Sequence, residues 1–407
     1  MKPDSQQCPI CSKPVEPSTR YPRHVCRECA TKVCSQDGRA LVFYNEHIWA
    51  GFEAKYAENG ELYMRHDCYI DGIKCYAEEA YFGGIVIQIV ANYKEELYRG
   101  YWEYRKSHFS KQQSVFDRPN ASSKRPPVFI PGESWQNIII NPKASQQETQ
   151  DLIALVPDGE RHKWFRSMSS SQALAQSLLG NLKIYNALHT LSELKDDEGL
   201  DLFDKAQISP VNFKMEHKVD YLGEPRPTSL DGYFSGDYQI AIECKLSETE
   251  FGTCSRPRLT KTASNYDRDL CDGTYIIQRA RKERCSLTEI GVLYWQYVPS
   301  LFTWKKDGDL NPCPLNKNYQ LVRNILAAGV KAGTVSAKNG HAVILYDARN
   351  PAFQFGGDGD KTYQETKRAL REPAMLRKCS WQTLVQHMRE LEILPWLTKE
   401  LMLKYGL

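Results

Sequence analysis

One stretch constrains this chain more than any other: Ser229-Leu230-Asp231-Gly232-Tyr233, followed by Gln239-Ile240-Ala241-Ile242-Glu243-Cys244-Lys245-Leu246. Side chains alternate along a strand, so Ile240, Ile242, Cys244 and Leu246 share one face and Ala241, Glu243 and Lys245 the other. An apolar strand that presents a carboxylate and an ammonium on one face is costly unless both have partners. A divalent cation held through oxygen by Asp231 and Glu243, with Lys245 beside a bound water or phosphate, meets that need. The stretch from Gly232 to Asp237 contains two glycines, enough for a short hairpin that brings Asp231 beside Glu243. Taken alone, Glu-x-Lys also fits a surface ion pair on an edge strand.

The surroundings narrow the choice. Phe213 to Val219 reads as a preceding strand carrying Glu216, and Ala342 to Asp347 as a further buried strand. Ser169-Ser170-Ser171 is an N-cap signal for a helical run to about Leu191 that opens with Gln172, and a second helix begins with Tyr319-Gln320-Leu321-Val322-Arg323-Asn324. The expected order of helix, strand, strand-turn-strand, helix, strand is α/β and resembles a known superfamily core, a mixed sheet flanked by helices.

These residues together resemble the PD-(D/E)xK, or restriction endonuclease-like, nuclease superfamily. The resemblance rests on Ser-Gln-Ala in the first helix, Leu230-Asp231, Ile242-Glu243-x-Lys245, Phe251-Gly252, the Tyr319–Asn324 stretch and Tyr346-Asp347-x-Arg349-Asn350-Pro351, and covers roughly Met168 to Phe353. Ser-Leu-Asp-Gly stands where the family label has Pro-Asp. The resemblance implies that Asp231 and Glu243 bind Mg²⁺ (or Mn²⁺), with the carbonyl of Cys244 as a further ligand. Lys245 would position or activate the attacking water, Glu216 would join the metal site as in some branches, and Gln320 would line it. Gln320 also fits a solvated helix position, Gln172 needs no function, and Glu250 is either a second metal ligand or a charged loop residue.

A second signal lies near the N-terminus. Cys8-Pro9-Ile10-Cys11 and Cys26-Arg27-Glu28-Cys29 are two Cys-x-x-Cys knuckles at the spacing of a zinc ribbon, in which one tetrahedral Zn²⁺ supplies folding energy that so short a segment lacks. The polar start Met-Lys-Pro-Asp-Ser-Gln-Gln and an odd total of 13 cysteines point to reduced thiols in a cytoplasm rather than to disulfides. Turn signals at Asp37-Gly38, Asn59-Gly60, Asp71-Gly72 and Gly83-Gly84 predict a small β module over Leu41 to Val90. His66, Cys68 and Cys75 there fit no trusted ligand pattern; the two cysteines read better as small core residues.

The expected division is 1–92 for ribbon and β module, 93–150 for a connector and the start of the nuclease region, and 151–407 for the nuclease domain with C-terminal helices. Within the second part, Arg118 to Pro131 reads as an extended connector. The tail from Ser380 to Leu403 has apolar residues at near-helical spacing, for packing on the core or a homodimer contact. No apolar run reaches the length of a membrane span.

A net charge of +3 makes any grip on nucleic acid local. Arg256, Arg258, Lys261 and Arg268, then Arg279, Arg281, Lys282 and Arg284, follow the Lys245 strand; such runs serve as solvated faces or as phosphate contacts, and Arg256, Arg258 and Arg281 are the candidate nucleic-acid contacts. There is no P-loop or dinucleotide fingerprint, and Cys244 should point into the core, away from Glu243 and Lys245. The expectation is a metal-dependent DNA endonuclease of a prokaryotic defence or restriction type, with a partner protein conceivable and RNA also open as substrate. The alternative is a zinc-ribbon nucleic-acid adaptor whose nuclease-like domain does not cut.

Overall fold

A computed structural model describes residues 6–18, 20–45, 52–80, 84–90, 93–117, 121, 124–203, 208–227, 229–256, 271, 285–304 and 313–407. The chain divides into two compact units, Met1–Gly100 and Tyr101–Leu407.

The first unit begins with a two-stranded ladder, Gln6–Gln7 with Pro14–Val15, followed by two three-stranded antiparallel sheets. In the second of these, Asp67–Ile70 and Ile73–Glu79 are joined by Asp71 and Gly72, both at positive φ (50° and 78°). That is the twist a two-residue hairpin needs, and Asp-Gly supplies it at low cost. Cys68 and Cys75 face each other across this pair, fully buried in a core with Cys8, Cys29, Val33 and Ile70. They are core residues, as expected, and His66 stacks on Phe52 with ring centroids 4.1 Å apart.

The second unit is built on a five-stranded mixed sheet. We number its strands β1 (Phe213–Lys218), β2 (Ser229–Phe234), β3 (Gln239–Cys244), β4 (Gly340–Tyr346) and β5 (Leu376–Ser380). Strands β1, β2 and β3 form an antiparallel meander, and β4 and β5 continue it in parallel with β3. Helix α1 starts at Ser171–Ala175, where Ser170 caps the Ala173 N–H, and continues through a π-helical turn to Asn181–Ile184. It packs against β2 and β3, and helix α2 (Pro314–Gly329) packs against β3 and β4. The element order is the expected one. Helix α2 begins five residues before Tyr319, because Pro314 occupies its first turn, where a missing N–H costs nothing.

The tail packs on the core: Trp381, Leu384 and Met388 of α3 (Trp381–Glu390) and Leu397 and Leu401 of α4 (Pro395–Tyr405) are fully buried. Residues 101–150 fall within this second unit. Phe129 is buried and stacks on Phe116 at 4.4 Å, and Asn137 accepts from buried Lys404 at 2.9 Å. Helix Gln146–Ala154 is opened by a full capping box between Ser145 and Glu148.

Candidate functional site

The strand registers bring three carboxylates into one row. On β1 and β2, Leu230 pairs with His217 and Gly232 with Met215, so Asp231 stands opposite Glu216. On β2 and β3, Gly232 pairs with Ile242, so the next step sets Asp231 opposite Glu243. Directly opposed side chains in antiparallel strands share a face, and like charges there repel. Burial, then Glu243 and Glu216, holds the Asp231 carboxyl well above the usual carboxylate range. Burial also raises Glu216, partly offset by hydrogen bonds from Gln172 and Ser229.

Glu243 is different because the sequence surrounds it with donors. Burial pushes its carboxyl up, but Lys245, Arg323 and Asn324 outweigh this and hold it below its ordinary value. Its Oε1 takes the Lys245 ammonium at 2.9 Å and the Gln320 amide at 2.6 Å. Its Oε2 accepts from Asn324 Nδ2 at 2.9 Å, with an Arg323 nitrogen at 3.7 Å. Gln320 and Asn324 are one helical turn apart on α2, so both reach the same carboxylate. Gln320 also accepts through Oε1 from Lys245 Nζ and from the Gly252 N–H, both at 2.8 Å. Burial pulls the Lys245 ammonium down, but Glu243 and Glu248 reverse this and leave it raised, so it is a fixed positive charge at neutral pH.

The main chain around Lys245 is clamped. Trp381 Nε1 donates to the Lys245 carbonyl at 2.9 Å, and Asn350 Nδ2 donates to the carbonyls of Leu246 and Glu248, each at 2.8 Å. Glu248 accepts from Ser171 Oγ and from the Leu246 N–H, both at 2.6 Å.

Carboxylate oxygens are the donor type that a hard divalent cation takes. Glu216 Oε1 is buried with no hydrogen-bond donor among the described residues, and Glu216 has φ of +47° in mid-strand, a strained state for a non-glycine residue. Asp231 Oδ2 accepts from the Cys244 N–H at 2.6 Å, with Oδ1 as its remaining oxygen. We expect Glu216→Gly to keep or raise the thermal midpoint, because glycine relieves the φ strain, while metal binding weakens about tenfold or more. Calorimetry with Mn²⁺ and thermal melts check both halves.

Of the expected site residues, Asp231, Glu243, Lys245, Glu216 and Gln320 are together. Gln172 lies on Glu216 and also accepts from the His162 N–H at 2.9 Å. Glu250 is exposed. Arg256 departs from expectation: it is buried, with Nε donating to Ser286 Oγ at 3.4 Å, rather than presented to solvent for a phosphate. The bond to Ser286 holds its guanidinium inward. Arg258 and Arg281 lie outside the described residues. Arg323, Asn324, Asn350 and Trp381 join the site beyond the sequence expectation; the one-turn spacing of Gln320 and Asn324 is the signal that points to Asn324.

In the first unit, the ligand atoms of Cys8, Cys11, Cys26 and Cys29 all lie within 4.8 Å of one another, compatible with one zinc ion. Cys26 also caps helix Arg27–Ala30, its sulfur accepting from the Cys29 N–H at 3.4 Å. Burial pushes the Cys8 thiol up, but N–H groups of Cys11, Cys26 and Ile10 outweigh it and bring it down to about 6. Among the described residues, no helix is long and apolar enough to cross a membrane.

No curated protein and no solved structure matches this chain. Residues 96–406, well over half of it, match the family described as restriction endonuclease associating with ARP. With the acid row and its lysine inside the matched region, the chain belongs to this restriction endonuclease-related family, REase-ARP.

Proposed function

We propose that this protein is a Mg²⁺-dependent DNA endonuclease with a restriction endonuclease-like core, acting in prokaryotic defence alongside a partner protein. The observation that carries the reading is the row Glu216, Asp231, Glu243 with Lys245 and Gln320 on its rim. Structural ion pairs neutralise charge, whereas this row leaves two carboxylates raised and one buried oxygen without a donor. The family description supports DNA as substrate and association with ARP as the partner interaction.

Bound by Asp231, Glu243 and Glu216, a divalent ion would polarise the scissile phosphate and lower the pKa of a water. Lys245, whose ammonium lies on Glu243, would orient that water and offset charge on the phosphorane-like transition state. Gln320 fixes the lysine and Glu243 relative to each other. We expect Gln320→Ala to lower cleavage by about 10–100-fold, the usual cost of losing a residue that orients a ligand. Gly252→Ala should do the same more mildly, since a Cβ there would meet Gln320 Oε1 at 3.3 Å.

The test is an assay on plasmid, linear duplex, single-stranded DNA and RNA with Mg²⁺, Mn²⁺ or EDTA. Metal-dependent DNA cleavage supports the reading. Cleavage of RNA alone would move it to ribonuclease, and binding without cleavage under every condition, partner included, would leave an adaptor.

A further inference from the structure

Between helix Gln146–Ala154 and α1 the chain reads Arg161-His162-Lys163-Trp164-Phe165-Arg166. Trp164 is 51% exposed, whereas Phe165 beside it is 1% exposed. A lone apolar residue at a surface needs no explanation. Three observations set this one apart.

The first is a fixed main chain. The Phe165 N–H donates to the His162 carbonyl at 2.8 Å, the Trp164 N–H to His162 Nδ1 at 3.2 Å, and the Ser167 N–H to the Trp164 carbonyl at 2.9 Å. From behind, the fully buried Asn137 donates through Nδ2 to the carbonyls of Phe165 and Ser167, at 2.6 and 2.7 Å. The turn is ordered by bonds that the indole does not make, so the ring is held out at little conformational cost.

The second is charge. Lys163 Nζ stands 5.6 Å from the Trp164 ring centroid and Arg166 Cζ 6.0 Å. Arg161 and Arg166 have Asp158 and Asp117 as partners, but among the described residues no carboxylate pairs with Lys163. An exposed aromatic face beside an uncommitted ammonium is the combination that holds single-stranded nucleic acid, a base on the ring and a phosphate on the cation.

The third is position. Glu160, at the head of the turn, takes Lys218 Nζ at 2.6 Å, and Lys218 lies two residues beyond Glu216 on β1. Gln172, which reaches Glu216, also clasps the turn: its Oε1 accepts from the His162 N–H at 2.9 Å and its Nε2 donates to the Glu160 carbonyl at 3.1 Å. One side chain separates the turn from the acid row.

We propose that Trp164 stacks on an unpaired base of the DNA strand that enters the acid row, with Lys163 on a neighbouring phosphate. This rests on the nuclease reading and narrows its substrate. An indole reaches the face of a base only where that base has left the helical stack, so the preferred DNA carries unpaired nucleotides beside the cut. Single strands and duplexes with an unpaired stretch both offer that chemistry.

The experiment is fluorescence anisotropy with the full chain in buffer without added divalent metal, so that strands stay intact. The probes are a labelled single strand, a duplex with a central unpaired stretch and an uninterrupted duplex. Trp164→Ala should weaken binding of the first two about 5–100-fold and of the third less than about twofold, while Trp164→Phe, which keeps a ring, restores most of the loss. Lys163→Ala should weaken all three alike and reduce the salt slope by about one. Loss on the single strand alone identifies single-stranded substrates; loss on both identifies an unpaired base in either setting. Equal loss on the uninterrupted duplex overturns the proposal, as does unchanged binding of every probe, the result expected if Trp164 docks a partner protein instead. Should Trp164→Ala not fold, Lys163→Ala decides: an unchanged salt slope overturns the contact. Binding is read without cleavage, so the two readings fail separately. DNA cut normally with unchanged Trp164→Ala binding sinks the stacking contact alone, and the expected binding pattern without cleavage sinks the nuclease reading alone.

Discussion

Asp231→Asn should abolish DNA cleavage while leaving the metal-free protein at least as stable as wild type. Asparagine keeps an oxygen to accept the Cys244 N–H, now made at 2.6 Å, so the β2–β3 contact survives. What disappears is a carboxyl whose ionisation beside Glu216 and Glu243 is costly without a cation. A residue kept for folding would show the opposite sign: its loss would lower the melting temperature. Lys245→Met is the companion. It removes the positive charge near the transition state, so cleavage should fall by about 10²-fold or more. It also leaves Glu243 with the hydrogen bonds from Gln320 and Asn324 and the Arg323 guanidinium at 3.7 Å. Breaking a buried pair costs about 3–5 kcal/mol when one charge is left alone, and the remaining donors should hold the cost below that. Cleavage assays beside thermal melts check the pair. If Asp231→Asn melts well below wild type and cuts normally with Mg²⁺, the acid row is structural and the metal site is wrong.

How much of this was legible in the sequence depends on the range of the interaction. Asp231, Glu243 and Lys245 are readable because strand alternation is local and a hairpin sets their register. Glu216 is readable as an acid on a neighbouring strand, but its φ of +47° is not, since no local signal marks a non-glycine residue for that state. Helix α2 is legible from Tyr319, and Gln320 with it; Asn324, one turn on, carries the same periodic signal but no chemistry that marks it as a site residue. Asn350 and Trp381 hold the chain after β3 from 104 and 136 residues away, and no spacing rule reports such contacts. The same limit explains residues 101–150. Their polar, proline-bearing stretch suggests a connector, while the Lys404 contact that docks it spans 267 residues. Arg256 shows the converse error, since clustered arginines in sequence do not say which guanidinium turns inward.

The N-terminal cluster should behave as an all-or-none element. Its four sulfurs gather a strand pair, a short helix and the loops between, and Cys8 and Cys29 lie inside the unit's core with Val33, Leu41 and Ile70. Segments of this size bury too little apolar surface to hold together unaided, and a structural zinc contributes on the order of 10–16 kcal/mol of apparent binding energy in such peptides. Cys26 is the most exposed to substitution in its effects, because its sulfur is at once a ligand and the N-cap of Arg27–Ala30. Cys26→Ser should therefore release one zinc equivalent and abolish protection of amide hydrogens around residues 6–34. The five-stranded sheet of the second unit, with its own core, should keep its protection. Hydrogen exchange with zinc analysis reads both outcomes from one preparation. Full zinc retention in Cys26→Ser, or exchange of β1 to β5 on the same timescale as the ribbon, would refute an independent zinc-built unit.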